Sequence, residues 1–521
     1  MKKSPYLLAL FLILSLFIVA FPQIDTVKAE EETIYIREDG TVEGTDKIQR
    51  NGNFYSFTGN IAGRIVVERY NIVVEGKDYT LHGTGAATDG PARNIGIDLA
   101  WMRNVTIQNI KITSFDYGIR ISNAFNNVIT GNGIINNGYG IEVILSSSGN
   151  SIYENNITAN IKGGIWLDFA NGNTISSNQI TNNKPKGIWI YSSSNEIISE
   201  NYVANNSYGI VIDSSSHTTL KNNSMINNTQ TFSVGGTDSD HFVNDIDESN
   251  TIDGKPIYYW VNQKDKTVLS DAGYVALIKC TNITVQTLNL SGNVQGILLA
   301  STTNSTITKT TITNTNDGVY LYSSSNNNII ENYLTNNVQG ISFSSSCSNI
   351  FSENHVTNNW CGIRLGSSSN NTMSTNNIQN NSCGIIFEYS SNKNSVNRNL
   401  IENNTLCISC LESSNNRFFH NNFINNTEHF TDLGPSAYWL ALSINIWDDS
   451  KEGNYWTDYN GTDTDDNGIG DTPYIIDDNN QDHCPLIEPA IIPEFPSWAF
   501  LPLFLAIILL ASVLKKRLTS P

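Results

Sequence analysis

At 521 residues, with 15% charged side chains and a formal net charge of −19, the chain is acidic and owes much of its polarity to Asn, Ser and Thr. The surplus of acid excludes a nucleic-acid partner, whose phosphates need Lys/Arg patches. Disorder is excluded as well, because apolar residues recur here at regular positions.

In chain order, Lys2 and Lys3 precede an apolar run over 7–21, and Val27-Lys28-Ala29 offers a small-residue cleavage site. Residues 1–29 are therefore predicted to be a secretory signal. Residues 30–70 follow as an N-terminal cap. Its Ile65-Val66-Val67, with Ile72-Val73-Val74 just beyond, reads as the starting strands.

Over 71–230 a Gly followed by an apolar residue recurs about every 22 residues, at Gly96, Gly118, Gly140, Gly164, Gly187 and Gly209. It resumes over 271–430 at Gly273, Gly296, Gly318, Gly340, Gly362 and Gly384, and Cys407 takes the Gly place in a last coil. One and three positions after each Gly stand Ile, Leu, Val or Phe, as in Ile165/Leu167 and Ile188/Ile190. Apolar residues at alternate positions make a short strand with one buried face. A second strand ends in an apolar column, preceded by an Asn in most coils: Asn132, Asn178, Asn201, Asn223, Asn332, Asn354, Asn376 and Asn421. Asn tolerates left-handed backbone at sharp corners, and stacked amides bond coil to coil. The fold class is all-β: a right-handed parallel β-helix, a solenoid of about 22 residues per coil with a cap at each end.

If the first and third residues after Gly are buried, the second and fourth face outward. Successive coils then present Asp98/Ala100, Arg120/Ser122, Glu142/Ile144, Trp166/Asp168, Trp189/Tyr191 and Val211/Asp213. Trp166 and Trp189 should stack, beside Asp168 and Tyr191, with Asp213 one coil further. Aromatics beside carboxylates are a common way to hold sugar rings, so Arg120, Glu142, Trp166, Asp168, Trp189, Tyr191 and Asp213 form the predicted carbohydrate site. The alternative is that these rings only protect a strand surface. Asp168 and Asp213, two coils or about 9–10 Å apart, also approach the spacing of an inverting carboxylate pair. The later coils present Leu298/Ala300, Tyr320/Tyr322, Ser342/Ser344 and Arg364/Gly366, a blander face.

Residues 231–270 break the period and are expected to form a hairpin or lateral excursion. Of the seven cysteines, Cys361 and Cys383 lie one coil apart, within disulfide reach if they stack. Thiols that merely fill the wall are the open alternative. Residues 431–490 form an acidic, Trp/Tyr-rich C-terminal cap, with thirteen carboxylates and one Lys between 447 and 494. Within it Asp463-Thr464-Asp465-Asp466-Asn467-Gly468-Ile469-Gly470-Asp471 matches D-x-D-x-N-G. That spacing offers calcium the side chains of Asp463, Asp465, Asn467 and Asp471 and the Ile469 carbonyl. The Glu usual at position twelve is replaced by Tyr474, and a solvated acidic turn is the alternative. Residues 491–521 hold a 17-residue apolar stretch over 498–514, then Lys515-Lys516-Arg517. They are predicted to anchor the chain in a membrane with its body outside.

These residues resemble a known family. The Asn-punctuated coils, Asn250-Thr251-Ile252-Asp253-Gly254-Lys255-Pro256-Ile257-Tyr258-Tyr259, and Ile446-Trp447-Asp448-Asp449 through Gly453-Asn454-Tyr455-Trp456 look like NosD-type β-helix proteins. These belong to the broader class of carbohydrate-binding and sugar-hydrolysis β-helix domains. The resemblance covers residues 34–486. Pro493-Glu494-Phe495-Pro496 resembles the archaeal PEF-type sorting signal, which implies a surface protein handled by a sortase-like processing enzyme. Bacterial NosD proteins are associated with copper-site assembly in nitrous oxide reductase, a role that favours accessible Met, His and Cys. This chain has four Met and shows no His/Met cluster. The leading expectation is a surface-anchored scaffold that binds a glycan or envelope polysaccharide without catalysis. The alternatives are a polysaccharide hydrolase or lyase on the Asp168/Asp213 face, and a copper-handling accessory protein. Sequons at Asn104, Asn156, Asn282, Asn304 and Asn460 add potential glycosylation sites.

Overall fold

The computed structural model describes residues 33–85, 94–433 and 442–492. The predicted signal, the sorting motif and the apolar stretch over 498–514 lie outside them. Among the described residues no helix is long and apolar enough to cross a membrane.

Each coil contributes three short strands to three walls. Wall 1 takes a six-residue strand around the repeat Gly, such as Gly163–Asp168 or Lys186–Tyr191. Walls 2 and 3 take three-residue strands, such as Thr174–Ser176 and Gln179–Thr181. Neighbouring coils pair parallel and in register, Ile165 on Ile188 and Trp166 on Trp189. Inward residues stack like on like, so every coil repeats one core layer at about 4.8 Å spacing. The repeat Gly lies where walls 3 and 1 crowd together. A Cβ on Gly164 would sit 2.5 Å from the Gly187 carbonyl oxygen.

Buried Asn ladders run along the corners. Asn178 accepts from the backbone N–H and the side-chain amide of Asn155 (3.0 Å each), and donates to Ile152 O (2.9 Å) and to Asn201 Oδ1 (3.0 Å). The same pattern joins Asn132, Asn155, Asn178, Asn201, Asn223 and Asn250. Asn332 to Asn454 repeat it further on. Each turn thereby satisfies backbone groups that the core would otherwise strand without water.

The winding continues through Gln230–Gly235, Asp245–Ile246 and Thr251–Ile252, which still join walls 1, 2 and 3. The chain reverses only at Asp253 and Gly254, which hold positive φ of 47° and 81°. Lys255–Val261 returns antiparallel to Thr251–Ile252, then seeds a second parallel stack with Tyr274–Ile278 and Gln295–Ala300. Parallel coils keep one hand of winding. Reversing strand direction therefore moves the second core to the opposite face of this sheet. Burial agrees: Ile257, Tyr259, Tyr274, Ala276 and Leu298 pack into the first core, while Tyr258, Val275, Leu277, Ile297 and Leu299 pack into the second. Three strands thus close one rod and start the next.

The expected solvent exposure of Leu298 and Ala300 is consequently wrong. Both are buried against the end of the first rod, and Tyr320 and Tyr322 pack beside them. Tyr322 donates to Thr237 O (2.5 Å), and Tyr259 donates to Phe242 O (2.5 Å), tying the two rods together.

The cap at the far end works by stacking. Trp447 lies on Phe418 at 4.2 Å and Trp456 on Phe423 at 4.3 Å, while Tyr474 covers Trp456 at 4.4 Å. These rings remove the last apolar layer from water, where an uncovered coil would present an open edge.

Candidate functional site

Wall 1 of the first rod carries the residues that periodicity pointed outward. Register sets Glu142, Trp166, Trp189 and Val211 in one column, and Ile144, Asp168, Tyr191 and Asp213 in the next. Trp166 stacks on Trp189 at 5.3 Å and 12°. The stack extends through Tyr139 at 5.1 Å to Tyr117, a further 5.4 Å away. Gly163 leaves room for it, since a Cβ there would approach Tyr139 Cδ1 to 3.3 Å. Sequence reasoning missed Tyr117 and Tyr139 because they precede the Gly instead of following it.

The four rings face one another along the rod, so their edges point outward. Lys186 closes the end, its Nζ 3.1 Å from the Trp189 ring centre. Burial against the stack pulls the Lys186 pKa down to about 8, opposed by Asp213. Flat aromatic surface is instead offered next door. Tyr191 is tilted 57° from Trp189, and Phe169, 57% exposed, meets Tyr191 edge-on. Asp168 and Asp213 flank Tyr191 one coil to either side. Burial raises the Asp168 carboxyl above its ordinary range, and its Oδ1 lies buried without a hydrogen-bond partner.

Not every outward position reaches solvent. Glu142, Ile144 and Val211 are buried under taller neighbours. Glu142 is engaged by Arg120, whose Nε lies 2.8 Å from Oε2, with side chains 15% and 4% exposed. Arg120 and Glu142 therefore brace the base of the aromatic stack, and the open group is Asp168, Phe169, Tyr191 and Asp213.

Two carboxyls escaped the sequence reading. Asp317, at the start of the second-rod strand Asp317–Tyr322, is raised to about 7 by burial, against the lowering effects of Arg364 and the Ser342 hydroxyl. Glu196 occupies an Asn place in a buried ladder and is raised to about 8 by burial. The Glu196 signal was present, since Asn127, Asn150 and Asn173 precede it at coil spacing.

In the cap, Asp463 accepts from the backbone N–H groups of Asn467 and Gly468, and Asp465 accepts from the Asn467 amide. Asp471 accepts from the Thr462 and Thr464 hydroxyls. Ile469 donates its N–H to Asn467 Oδ1. The five predicted ligands thus share one tight loop. Among the described residues no three His, Cys, Asp or Glu side chains converge as a metal site.

The sequence profile of the NosD family, described as periplasmic copper-binding protein, matches residues 27–162, 84–259 and 248–461. No curated protein matches the chain. Among solved structures, the A-module of the Azotobacter vinelandii mannuronan C-5 epimerase AlgE6 is 11% identical, covering 75% of this chain and 90% of its own, at a TM-score of 0.30. The DFA-IIIase of Arthrobacter chlorophenolicus in complex with GF2 is 14% identical, covering 52% and 69%, at 0.32. The alginate lyase of a Paenibacillus species is 13% identical, covering 52% and 87%, at 0.26.

Proposed function

The chain belongs to the NosD family, and from that premise we propose that it is an extracytoplasmic scaffold that binds a glycan or envelope polysaccharide on wall 1 of its first rod without cleaving it. The observation that carries this reading is the open group Asp168, Phe169, Tyr191 and Asp213 on a rigid aromatic buttress. Phe169 and Tyr191 supply apolar faces for a sugar ring, and the two carboxylates accept from its hydroxyls. Parallel strands place these groups one coil apart, about 4.8 Å, comparable to the length of a sugar residue. The predicted anchor and its processing belong to the same proposal, holding the rod at the cell surface.

Copper, named in the family description, does not fit the donors present. Met225 and Met373 are sealed in the core and Met102 is buried, while Cys407 and Cys410 are buried thiols whose pKa burial pushes up. Copper sites use soft ligands that meet at one point, and among the described residues no three His, Cys, Asp or Glu side chains converge.

A glycan array on the exported protein tests the reading. Tyr191→Ala or Asp213→Asn is expected to weaken binding at least about tenfold, or about 1.4 kcal/mol, with an unchanged melting temperature. Trp166→Ala, which removes the middle of the stack, should lower both binding and melting temperature. Binding indifferent to all three changes removes the site. Release of reducing or unsaturated sugars, lost in Asp168→Asn, would turn the proposal into the hydrolase or lyase reading. For the cap, calcium binding by Asp463, Asp465, Asn467, Ile469 and Asp471 predicts a higher melting temperature on calcium addition, absent in Asp463→Ala. An unchanged temperature in the parent discards the ion.

A further inference from the structure

We infer that Cys361 and Cys383 form a disulfide that clips two adjacent coils of the second rod. They are direct register partners on the parallel strands Cys361–Gly366 and Cys383–Glu388. In-register residues on neighbouring strands lie about 4.8 Å apart, inside the Cα separation of roughly 4.4–6.8 Å that a disulfide spans. In the structure both are buried thiols, their Sγ atoms directed to Ile363 O at 3.4 Å and Ile385 O at 3.9 Å, and the bond forms when the two sulfurs turn toward each other. The pair stands outside the main core, in a small apolar cluster with Ile386 and Leu406.

Register sets this pair apart among the seven cysteines, since the partner of Cys383 on the following coil is Leu406 and not Cys407. Cys407 and Cys410 form a Cys-x-x-Cys sequence, but both point into the core from the single strand Leu406–Leu411. Three residues of extended chain separate them by about 10 Å, too far to bridge. Cys280 sits in a different coil with its Sγ 3.2 Å from Trp260 O, and Cys347 lies 3.4 Å from the Ser369 nitrogen.

The coils concerned are already linked at the other end of the same strands, where Arg364 donates to Glu388 at 2.7 and 2.9 Å. The covalent link and the ion pair therefore hold both ends of one strand pair, so the coils resist sliding as well as separation.

The chemistry balances by thiol–disulfide exchange with an oxidising disulfide, protein or small molecule, of the kind found in exported compartments. One thiolate attacks the donor disulfide and releases one donor thiol. The second thiolate then displaces the other donor sulfur. Two electrons and two protons leave this chain, one sulfur–sulfur bond forms in it, and the donor becomes two thiols.

The test uses the full chain, exported to an oxidising compartment or reduced and then treated with oxidised glutathione. Each sample is unfolded with an alkylating agent present, digested and weighed. The expected result is five alkylated cysteines of the seven, with the Cys361 and Cys383 peptides linked until reductant is added. Reductant should also lower the temperature at which protease opens the second rod, and the Cys361→Ser/Cys383→Ser variant should show no such shift. Seven alkylated cysteines in both samples, or a linked peptide from any other pair, overturns the inference. If the double variant fails to accumulate, the alkylation count on the parent protein still decides.

Discussion

Asn178→Leu is expected to destabilise the first rod by on the order of 4 kcal/mol and to open it to protease near that coil. The substitution keeps the volume and removes four hydrogen bonds. Asn155 loses the acceptor for both its backbone N–H and its side-chain amide, Ile152 O loses a donor, and Asn201 Oδ1 loses one of its two. All of these atoms are buried, and a buried polar group left unmatched costs about 1–3 kcal/mol. A leucine cannot recover the loss by burial, because the site is already dry. In a repeat fold each coil leans only on its neighbours, so damage at one coil separates the stack there. Protease resistance and melting temperature check this against Gln179→Ala, on the exposed side of the next residue. A loss below about 1 kcal/mol would mean that the ladder fills space without carrying the coils.

Glu196→Gln is expected to stabilise the protein, increasingly so as pH rises from about 5 to about 8. Glu196 is fully buried, and its Oε2 accepts from the Asn173 backbone N–H at 2.8 Å. Its Oε1 is buried without a hydrogen-bond partner. Burial holds the group protonated up to about pH 8, against an ordinary 4.5, opposed by the N–H groups of Asn173 and Gly172. The sign follows. Below about pH 4.5 the folded and unfolded chains both carry the proton, and Glu196 costs nothing. Above that, the unfolded chain ionises first, and stability falls by about 1.4 kcal/mol per pH unit until the folded group also ionises. Glutamine does not titrate and carries no charge into the core. Denaturant midpoints of the two proteins should therefore converge near pH 5 and lie furthest apart near pH 9. A gap independent of pH would show that the carboxyl is paired in a way that tolerates its charge.

The coil was legible because its period makes every structural position recur. Gly164 and Gly187 mark one tight corner, Ile165 and Ile188 one core layer, Asn178 and Asn201 one ladder. Trp166 and Trp189 were placed on the same surface column by the same arithmetic. What the period could not convey was the seam. Asp253-Gly254 reads as any tight turn, and nothing local says that the coil beyond it winds on the other face of the sheet. A trace was nevertheless present. Tyr274–Ile278 and Gln295–Ala300 are almost continuously apolar, the mark of strands buried on both sides, whereas most coils alternate. The open face was only half legible, because alternation says which way a side chain leaves the strand and not how tall its neighbours stand. Glu142 points outward and is buried for that reason.

The strand reversal at Asp253-Gly254 also determines where the molecule can change length. A whole coil removed from either rod leaves inward residues inward and each Asn beside another Asn, and shifts the far end by one strand spacing. Rods of this kind can thus be lengthened or shortened in steps, like beads on a string. The three strands around Tyr274–Ile278 do not share that freedom, because their alternate residues answer to two different interiors. Relatives that differ in overall size should therefore differ in coil number on either side of this layer, while the layer itself stays the same.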